Sequence, residues 1–385
     1  MEALMSKKWY VLYTLMFLTA LFIVLLVFFN GDDETVAKGS HNLKAIPTST
    51  MSYKNYQSSA TLLAVGDVLI HSQVYDAAKN DKGYDFKPMF QAVKPIIQSA
   101  DIAVANQESM MGGEALGLST YPAFNSPFEI GDALKDAGFD VVTMANNHTL
   151  DHGIKAIENA IHYWDKIGMV HTGSFLSEKD RSIIRIVKKN NIKFAFLAYT
   201  YGTNGIPTPQ NKDYLVNRID EKLMKKDIKE AHEQADVVVV ALHFGQEYQT
   251  MPNTEQKKLV QSLANQGVDI IIGNHPHVLQ PLTYVKGKSG HQTFVAYSLG
   301  NFISGQDKLN RQLGGILEVN VTKTITHNES KITVTSPTFI PTWVDQKDYH
   351  IIPLSEAQDS GLKQAPTLYK EVTGHMKTWF PALKF

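Results

Sequence analysis

Between Ala60 and Gly273 short apolar runs of β type alternate with amphipathic helical segments, and no other feature restricts the fold so strongly. The runs are Ala60–Val65, Ile102–Ala105, Val141–Ala145, Phe194–Tyr199, Val237–His243 and Ile270–Gly273. Helical spacing falls between them at Phe86–Ser99, Ile154–Ile167, Glu221–Gln234 and Glu255–Gln266. This alternation predicts an α/β fold with a largely buried sheet. Two stretches depart from it. Ile183–Tyr199 reads as two strands joined at Asn190-Asn191, and Leu282–Ile303 as another pair joined around Lys288-Ser289-Gly290. Gly315–Val321 and Lys331–Val344 add further β-rich sequence. The sum predicts two sheets packed face to face with helices outside, rather than one doubly wound sheet. A last helix-like segment near Tyr369–Phe380 carries Val372, Met376 and Trp379, and is expected to pack back onto the domain.

Ahead of this pattern, Trp9 through Phe29 is an uninterrupted apolar run without a charge. About 20 helical residues cross the roughly 30 Å of hydrocarbon in a bilayer, so the run is long enough to span one. Lys7 and Lys8 precede it and Asp32, Asp33 and Glu34 follow. Lysines on that side hold the N-terminus in the cytoplasm and put the remainder outside. A cleaved signal peptide is the alternative, but it would have a shorter apolar region ending in small residues such as Ala-x-Ala. From Asn30 to about Tyr56 the chain reads as a flexible tether. The expected organisation is a cytoplasmic N-terminus (1–8), a single cell-membrane span (9–29), a tether (30–56), an extracellular main domain (57–355) and a C-terminal helical segment (356–385).

Composition narrows the chemistry. The 385 residues are 43% apolar and carry a formal net charge of -1, with no basic tract, which argues against a nucleic-acid partner. There is no cysteine, so disulfides, thiolate metal sites and thiol nucleophiles are excluded. Any metal must sit on His, Asp, Glu or Asn.

The polar residues recur where such folds build sites, at the carboxyl ends of strands. Gly66-Asp67 follows the first run, with His71 four residues on; Asn106-Gln107-Glu108 follows the second. Asn146-Asn147-His148-Thr149-Leu150-Asp151 follows the third, His243-Phe244-Gly245-Gln246-Glu247 the fifth, and Asn274-His275-Pro276-His277 the sixth. Singly, each has a plainer reading: Asp67 as a turn or cap residue, Glu108 as a solvated carboxylate, Asn147 as a left-handed turn. Together, two carboxylates, an Asn oxygen and three imidazoles make an oxygen- and nitrogen-rich shell. Such a shell suits two divalent ions of the Mn, Fe or Zn type, with one carboxylate shared between them.

In this order the segments GD, N-x-E, NNH, H-x-G-x-E and GNHPH resemble the calcineurin-like metallophosphoesterases, and more closely the CapA family of capsule proteins. Tyr121-Pro-Ala-Phe-Asn-Ser-Pro, Ala145-Asn-Asn-His-Thr-Leu-Asp-His-Gly and Tyr297-Ser-Leu-Gly-Asn-Phe-Ile extend the likeness over roughly Thr61 to Pro353. The resemblance implies a four-layer α/β/β/α sandwich of metallophosphatase type. It implies Asp67 and His277 on a first ion, Glu108 bridging, and Asn147, His243 and His275 on a second. His148 would protonate the leaving group. Three departures stand out. His71 lies four residues from Asp67 where phosphoesterases have Asp-x-His. Thr149 stands where an acid usually follows the Asn-His pair, leaving Asp151 or Glu247 to orient His148. Glu108 replaces an Asp at the bridge. The implied function is an anchored subunit assisting synthesis, export or anchoring of an anionic polymer such as poly-γ-glutamate, beside membrane subunits of a polymer synthase or exporter. The alternative is a metal-dependent hydrolase acting at the cell surface on a phosphate ester or a wall-linked polymer.

Three further features stay open at this level. Asn301 either faces the same pocket or belongs to a glycine-associated turn. Arg311 reads as an anion-holding residue or an exposed loop charge. The loop Tyr201–Pro207 either roofs the pocket or does not.

Overall fold

The computed structural model describes residues 56–326 and 329–385. Strands follow in the order β1 (Tyr56–Leu69), β2 (Lys79–Asn80), β3 (Gly83–Tyr84), β4 (Ile102–Gln107), β5 (Val141–Thr143), β6 (Val170–Thr172), β7 (Arg185–Lys189) and β8 (Ile192–Thr200). They continue with β9 (Val237–His243), β10 (Ile270–Asn274), β11 (Leu279–Lys286), β12 (Gln292–Leu299), β13 (Asn301–Ser304), β14 (Leu313–Thr326), β15 (Glu329–Val344) and β16 (Ile351–Pro353). The helices are α1 (Ser72–Ala77), α2 (Lys94–Ser99), α3 (Glu129–Ala137), α4 (Gly153–Lys166), α5 (Glu178–Arg181), α6 (Glu221–Gln234), α7 (Thr254–Asn265) and α8 (Ala365–Met376).

Successive strand residues point to opposite faces, and here that alternation builds the layers. Leu62, Ala64, Ile102, Val104, Phe196, Val239, Ile270 and Phe294 form one buried cluster between two sheets. Their neighbours Leu63, Val65, Ala103 and Val142 pack with α3 and α4 through Leu134, Ile157 and Trp164. On the other side Leu197, Val238, Val240 and Ile271 pack with α6 and α7 through Ile228, Val260 and Leu263. The result is helix, sheet, sheet, helix. One sheet has the order β16-β15-β14-β1-β4-β5-β6, with β13 also on β1; the other runs β11-β12-β10-β9-β8-β7. The pairs β1–β4 and β4–β5 in the first, and β8–β9, β9–β10 and β10–β12 in the second, are parallel. Their carboxyl ends therefore gather along one rim.

Several expectations need correction. The helix expected over Phe86–Ser99 is a 3-10 turn at Lys87–Phe90 followed by α2, because Pro88 and Pro95 lack the amide a helix interior needs and fit only a first turn. Tyr56, expected in the tether, already pairs with Ile325 in β1. The pair expected to run to Ile303 ends at Leu299, where Gly300 (φ 67) turns the chain into β13, which pairs with β1 in the opposite sheet. The β7–β8 hairpin turns at Asn190 and Asn191, both left-handed (φ 47 and 63), as a two-residue turn requires. Val372 and Met376 of α8 are buried against the inner cluster. Among the described residues no helix is long and apolar enough to cross a membrane; the expected span at Trp9–Phe29 lies outside them.

Candidate metal centre

Asp67, near the end of β1, is completely buried. Gly66 before it lies so close to the other sheet that a Cβ would stand 1.9 Å from the Gly300 carbonyl oxygen. The Asp67 carboxylate accepts from Asn106 Nδ2 at 2.7 Å and from the His275 amide at 3.2 Å, and its Oδ2 is 3.2 Å from His277 Nδ1. Burial pushes this carboxyl up, but the hydrogen bond and charge of His277, with His243 and Asn106, outweigh it and hold the group below its ordinary value.

Glu108 directly follows β4. Both of its carboxylate oxygens are buried without a hydrogen-bond partner among the described residues. Burial first, then the charge of Asp67, push it up to about 8. Oε1 lies 3.4 Å from His243 Nε2 and 3.6 Å from His277 Nε2.

The histidines come from the other sheet. His243 ends β9, with Nε2 2.7 Å from Asn147 Oδ1 and Nδ1 3.4 Å from Asn106 Nδ2. Burial lowers it to about 3 and His275 to about 2, keeping both rings neutral, the form that binds metals. His277 is pulled down by burial but more strongly up by Glu108 and Asp67, to about 9. His275 and His277 both sit in left-handed backbone, φ 97 and 56. Non-glycine residues enter that region at a cost of about 1–3 kcal/mol, and such strain collects at functional sites.

Two groups of donor atoms, each within 4.8 Å, share Glu108: Asp67, Glu108 and His277, and Glu108, His243 and His275. Asn147 joins the second through its contact with His243. A third group links His275 and His277 with the exposed Glu247. The residues present fit metal binding at the Glu108 oxygens and His275 Nδ1, which have no hydrogen-bond partner among the described residues. An unpaired buried polar group costs about 1–3 kcal/mol, and more when charged. A cation held by these atoms would remove that penalty.

His148 stands at the edge. Its Nδ1 is 2.6 Å from Asp151 Oδ2, which also accepts the Phe124 amide at 2.7 Å. The Phe124 ring packs edge-on against His148 at 4.6 Å and His71 at 5.0 Å. Thr149 ties the loop instead of touching His148, its hydroxyl donating to the Met144 carbonyl at 2.6 Å. His71 is outside the donor groups. Its Nδ1 is 3.1 Å from the Leu69 carbonyl and accepts the Gly305 amide at 3.1 Å, and burial lowers it to about 4. Asn301 is both turn and site residue: it follows Gly300, and its Oδ1 is 2.9 Å from His277 Nδ1.

Asn106, absent from the candidates above, contacts Asp67 and His243 while accepting from Thr143 Oγ1 at 3.1 Å. The signal was an Asn within a fully buried strand. Tyr201 stands with its ring 4.7 Å from His275, and Asn204 Oδ1 accepts from Asn147 Nδ2 at 3.2 Å, so this loop does cover the centre.

The family described as "Bacterial capsule synthesis protein PGA_cap" matches residues 61–306. The chain is 32% identical to the PGA biosynthesis protein CapA of Bacillus subtilis (strain 168), over 63% of this chain and 62% of that protein. It is 30% identical to the capsule biosynthesis protein CapA of Bacillus anthracis, over 64% of this chain and 60% of the relative. In both cases the match therefore spans less than two thirds of the relative's length. Among solved structures, a phosphatase from Mycoplasma pneumoniae is similar at TM-score 0.46 and 16% identity, covering 76% of this chain and 97% of that one. A 5'-nucleotidase precursor from Thermus thermophilus is similar at TM-score 0.46 and 14% identity, covering 83% of this chain and 60% of that one.

Proposed function

The chain belongs to the bacterial capsule synthesis protein family, and from that premise we propose that it assists synthesis, export or anchoring of an anionic capsule polymer, poly-γ-glutamate, through a two-metal site held outside the cytoplasm. The observation that carries the site is Glu108, a buried carboxylate with no hydrogen-bond partner on either oxygen among the described residues, placed between two histidine groups. Asp67, Glu108 and His277 would hold one ion, and Glu108, Asn147, His243 and His275 the other. Divalent ions of the Mn, Fe or Zn type supply Lewis-acid stabilisation of charge on a transferring oxygen. Asp151 fixes the His148 tautomer by taking the Nδ1 proton in a hydrogen bond, which leaves Nε2 to move a proton to or from a reacting oxygen. Phe124 shields that pair from water. The apolar run Trp9–Phe29 supports attachment to the membrane beside the polymer's membrane subunits.

The buried His148–Asp151 pair supports a second reading, a metal-dependent hydrolase of phosphoesters or wall-linked polymer. One set of measurements on the full chain separates the two. Mn²⁺ titration should show tight binding that Glu108→Gln weakens at least tenfold; no binding by the wild type would end the two-metal proposal. Turnover of an aryl phosphodiester that His148→Ala abolishes favours the hydrolase. Loss of capsule polymer on deleting the gene, restored by the His148→Ala chain, favours the assembly role.

A further inference from the structure

The sequence has four arginines. Arg181 pairs with Asp227 at 2.7 Å, Arg185 pairs with Asp180, and Arg218 donates to Thr203 Oγ1 at 2.8 Å. Arg311 differs: among the described residues its guanidinium has no ion pair or hydrogen bond, and its Nε is buried without an acceptor.

This arginine is not loose. Its Cζ lies 3.5 Å from the centroid of the Tyr248 ring. A guanidinium stacked on a ring has one face occupied and keeps its in-plane N–H groups as donors. Tyr248 is itself held in left-handed backbone, φ 67, with its amide donating to the Pro276 carbonyl at 2.8 Å. Its ring is 6.2 Å from that of His277. From the other side, the Arg311 carbonyl accepts from Asn301 Nδ2 at 2.8 Å, and Asn301 in turn contacts His277. Both ends of Arg311 are therefore tied to residues that flank one histidine of the centre. The adjacent carboxylate, Glu247, is grouped with His275 and His277 instead of pairing with the arginine. A cavity of about 490 Å³ at His275, bounded also by Tyr201, Gly245, Glu247 and Tyr248, opens beside this stack.

We propose that Arg311, pinned by Tyr248, is a subsite for a second anionic group of the substrate, a carboxylate or phosphate lying beside the group held at the metal centre. The inference rests on the two-metal reading of that centre. A planar fork of N–H donors fits a pair of oxyanion oxygens, whereas a lysine would supply only a point charge.

The test uses the full chain loaded with Mn²⁺ and titrated with two ligands that share a phosphate, 3-phosphoglycerate and glycerol 3-phosphate. The wild type should bind the carboxylate-bearing ligand at least tenfold more tightly. Arg311→Gln should bring that ratio towards one, Arg311→Lys should recover only part of it, and Tyr248→Ala should lower it. Propane-1,3-diol bisphosphate shows whether phosphate replaces carboxylate as the second anion. A wild-type ratio near one, or an unchanged ratio in Arg311→Gln, overturns the subsite. Mn²⁺ titration of the same samples keeps the outcomes apart. Failure of the wild type to bind metal removes the two-metal reading and the subsite with it, while normal metal binding with an unaltered ratio removes the subsite alone.

Discussion

A single distance decides which acid acts on His148. Sequence leaves Asp151 and Glu247 as alternatives, but Asp151 Oδ2 is 2.6 Å from His148 Nδ1, whereas the Glu247 carboxylate groups with His275 and His277. Asp151 also accepts the Phe124 amide, so one buried oxygen positions the ring and the aromatic edge that covers it. In Asp151→Asn the side chain can still fill the space, but the charge that stabilises a protonated imidazole is gone. Turnover of an aryl phosphodiester should fall by roughly 10²–10⁴, the range expected for a disabled proton-transfer group, with KM changed only a few-fold. Asp151→Glu, which keeps a carboxylate, should recover part of the lost kcat, as a positioning role requires and mere loss of packing would not. Glu247→Gln should lower kcat far less than Asp151→Asn does. Equal kcat for wild type and Asp151→Asn would show that Asp151 does not position His148.

At the level of strands, glycine sets how close the backbones come beneath the site. A Cβ on Gly273 in β10 would stand 2.0 Å from the Tyr297 carbonyl oxygen, and backbone cannot swing aside as a side chain does. Gly273→Ala should cost about 3 kcal/mol or more, at or above the upper end of ordinary overpacking. It should appear as a lower denaturation midpoint with an unchanged slope. Gly374 in α8 has nothing within 4 Å of such a Cβ, so Gly374→Ala should stabilise by about 0.5–1 kcal/mol. If the two substitutions behaved alike, the packing account of Gly273 would be wrong. The elements themselves were largely legible. Val237–His243 was readable to the residue, because parallel strands buried on both faces are continuous apolar runs. The convergence of Asp67, Glu108, Asn147, His243, His275 and His277 could be inferred because parallel strands deliver their carboxyl ends to one rim. What stayed hidden depends on contacts between distant segments. The crossing at Gly300 needs the second sheet beside it, and Asn106 gains its meaning only from His243 across the interface. The Tyr201 roof depends on how a turn-rich loop settles over finished walls. His71 stands outside the donor groups, its Nδ1 accepting the Gly305 amide, a contact that the four-residue spacing from Asp67 does not reveal.

For the domain as a whole, the rim that gathers the candidate metal ligands and the opposite ends of the strands present different electrostatic problems. At the foot of β10, Asp269 joins three strands: its Oδ2 accepts the Val238 amide at 2.8 Å, its carbonyl accepts the Phe294 amide at 2.9 Å, and its own amide donates to Val238 at 3.1 Å. Burial raises this carboxyl to about 7, the Val238 hydrogen bond offsetting only part of the effect. His291, 3.4 Å from Oδ1, is held below its usual value by burial and brings no compensating positive charge near neutrality. A carboxyl whose folded pKa exceeds its unfolded one binds its proton more tightly in the folded state. Its contribution therefore favours the fold in acid and is lost as pH rises from about 4 to about 7. The loss should amount to roughly a few kcal/mol at most. Asp269→Asn keeps an oxygen for the Val238 amide and cannot ionise, so its stability should vary less over that window. Urea denaturation at pH 5 and pH 8 should show the wild type losing more stability than Asp269→Asn between the two values, and parallel changes in both chains would exclude Asp269 as the titrating group.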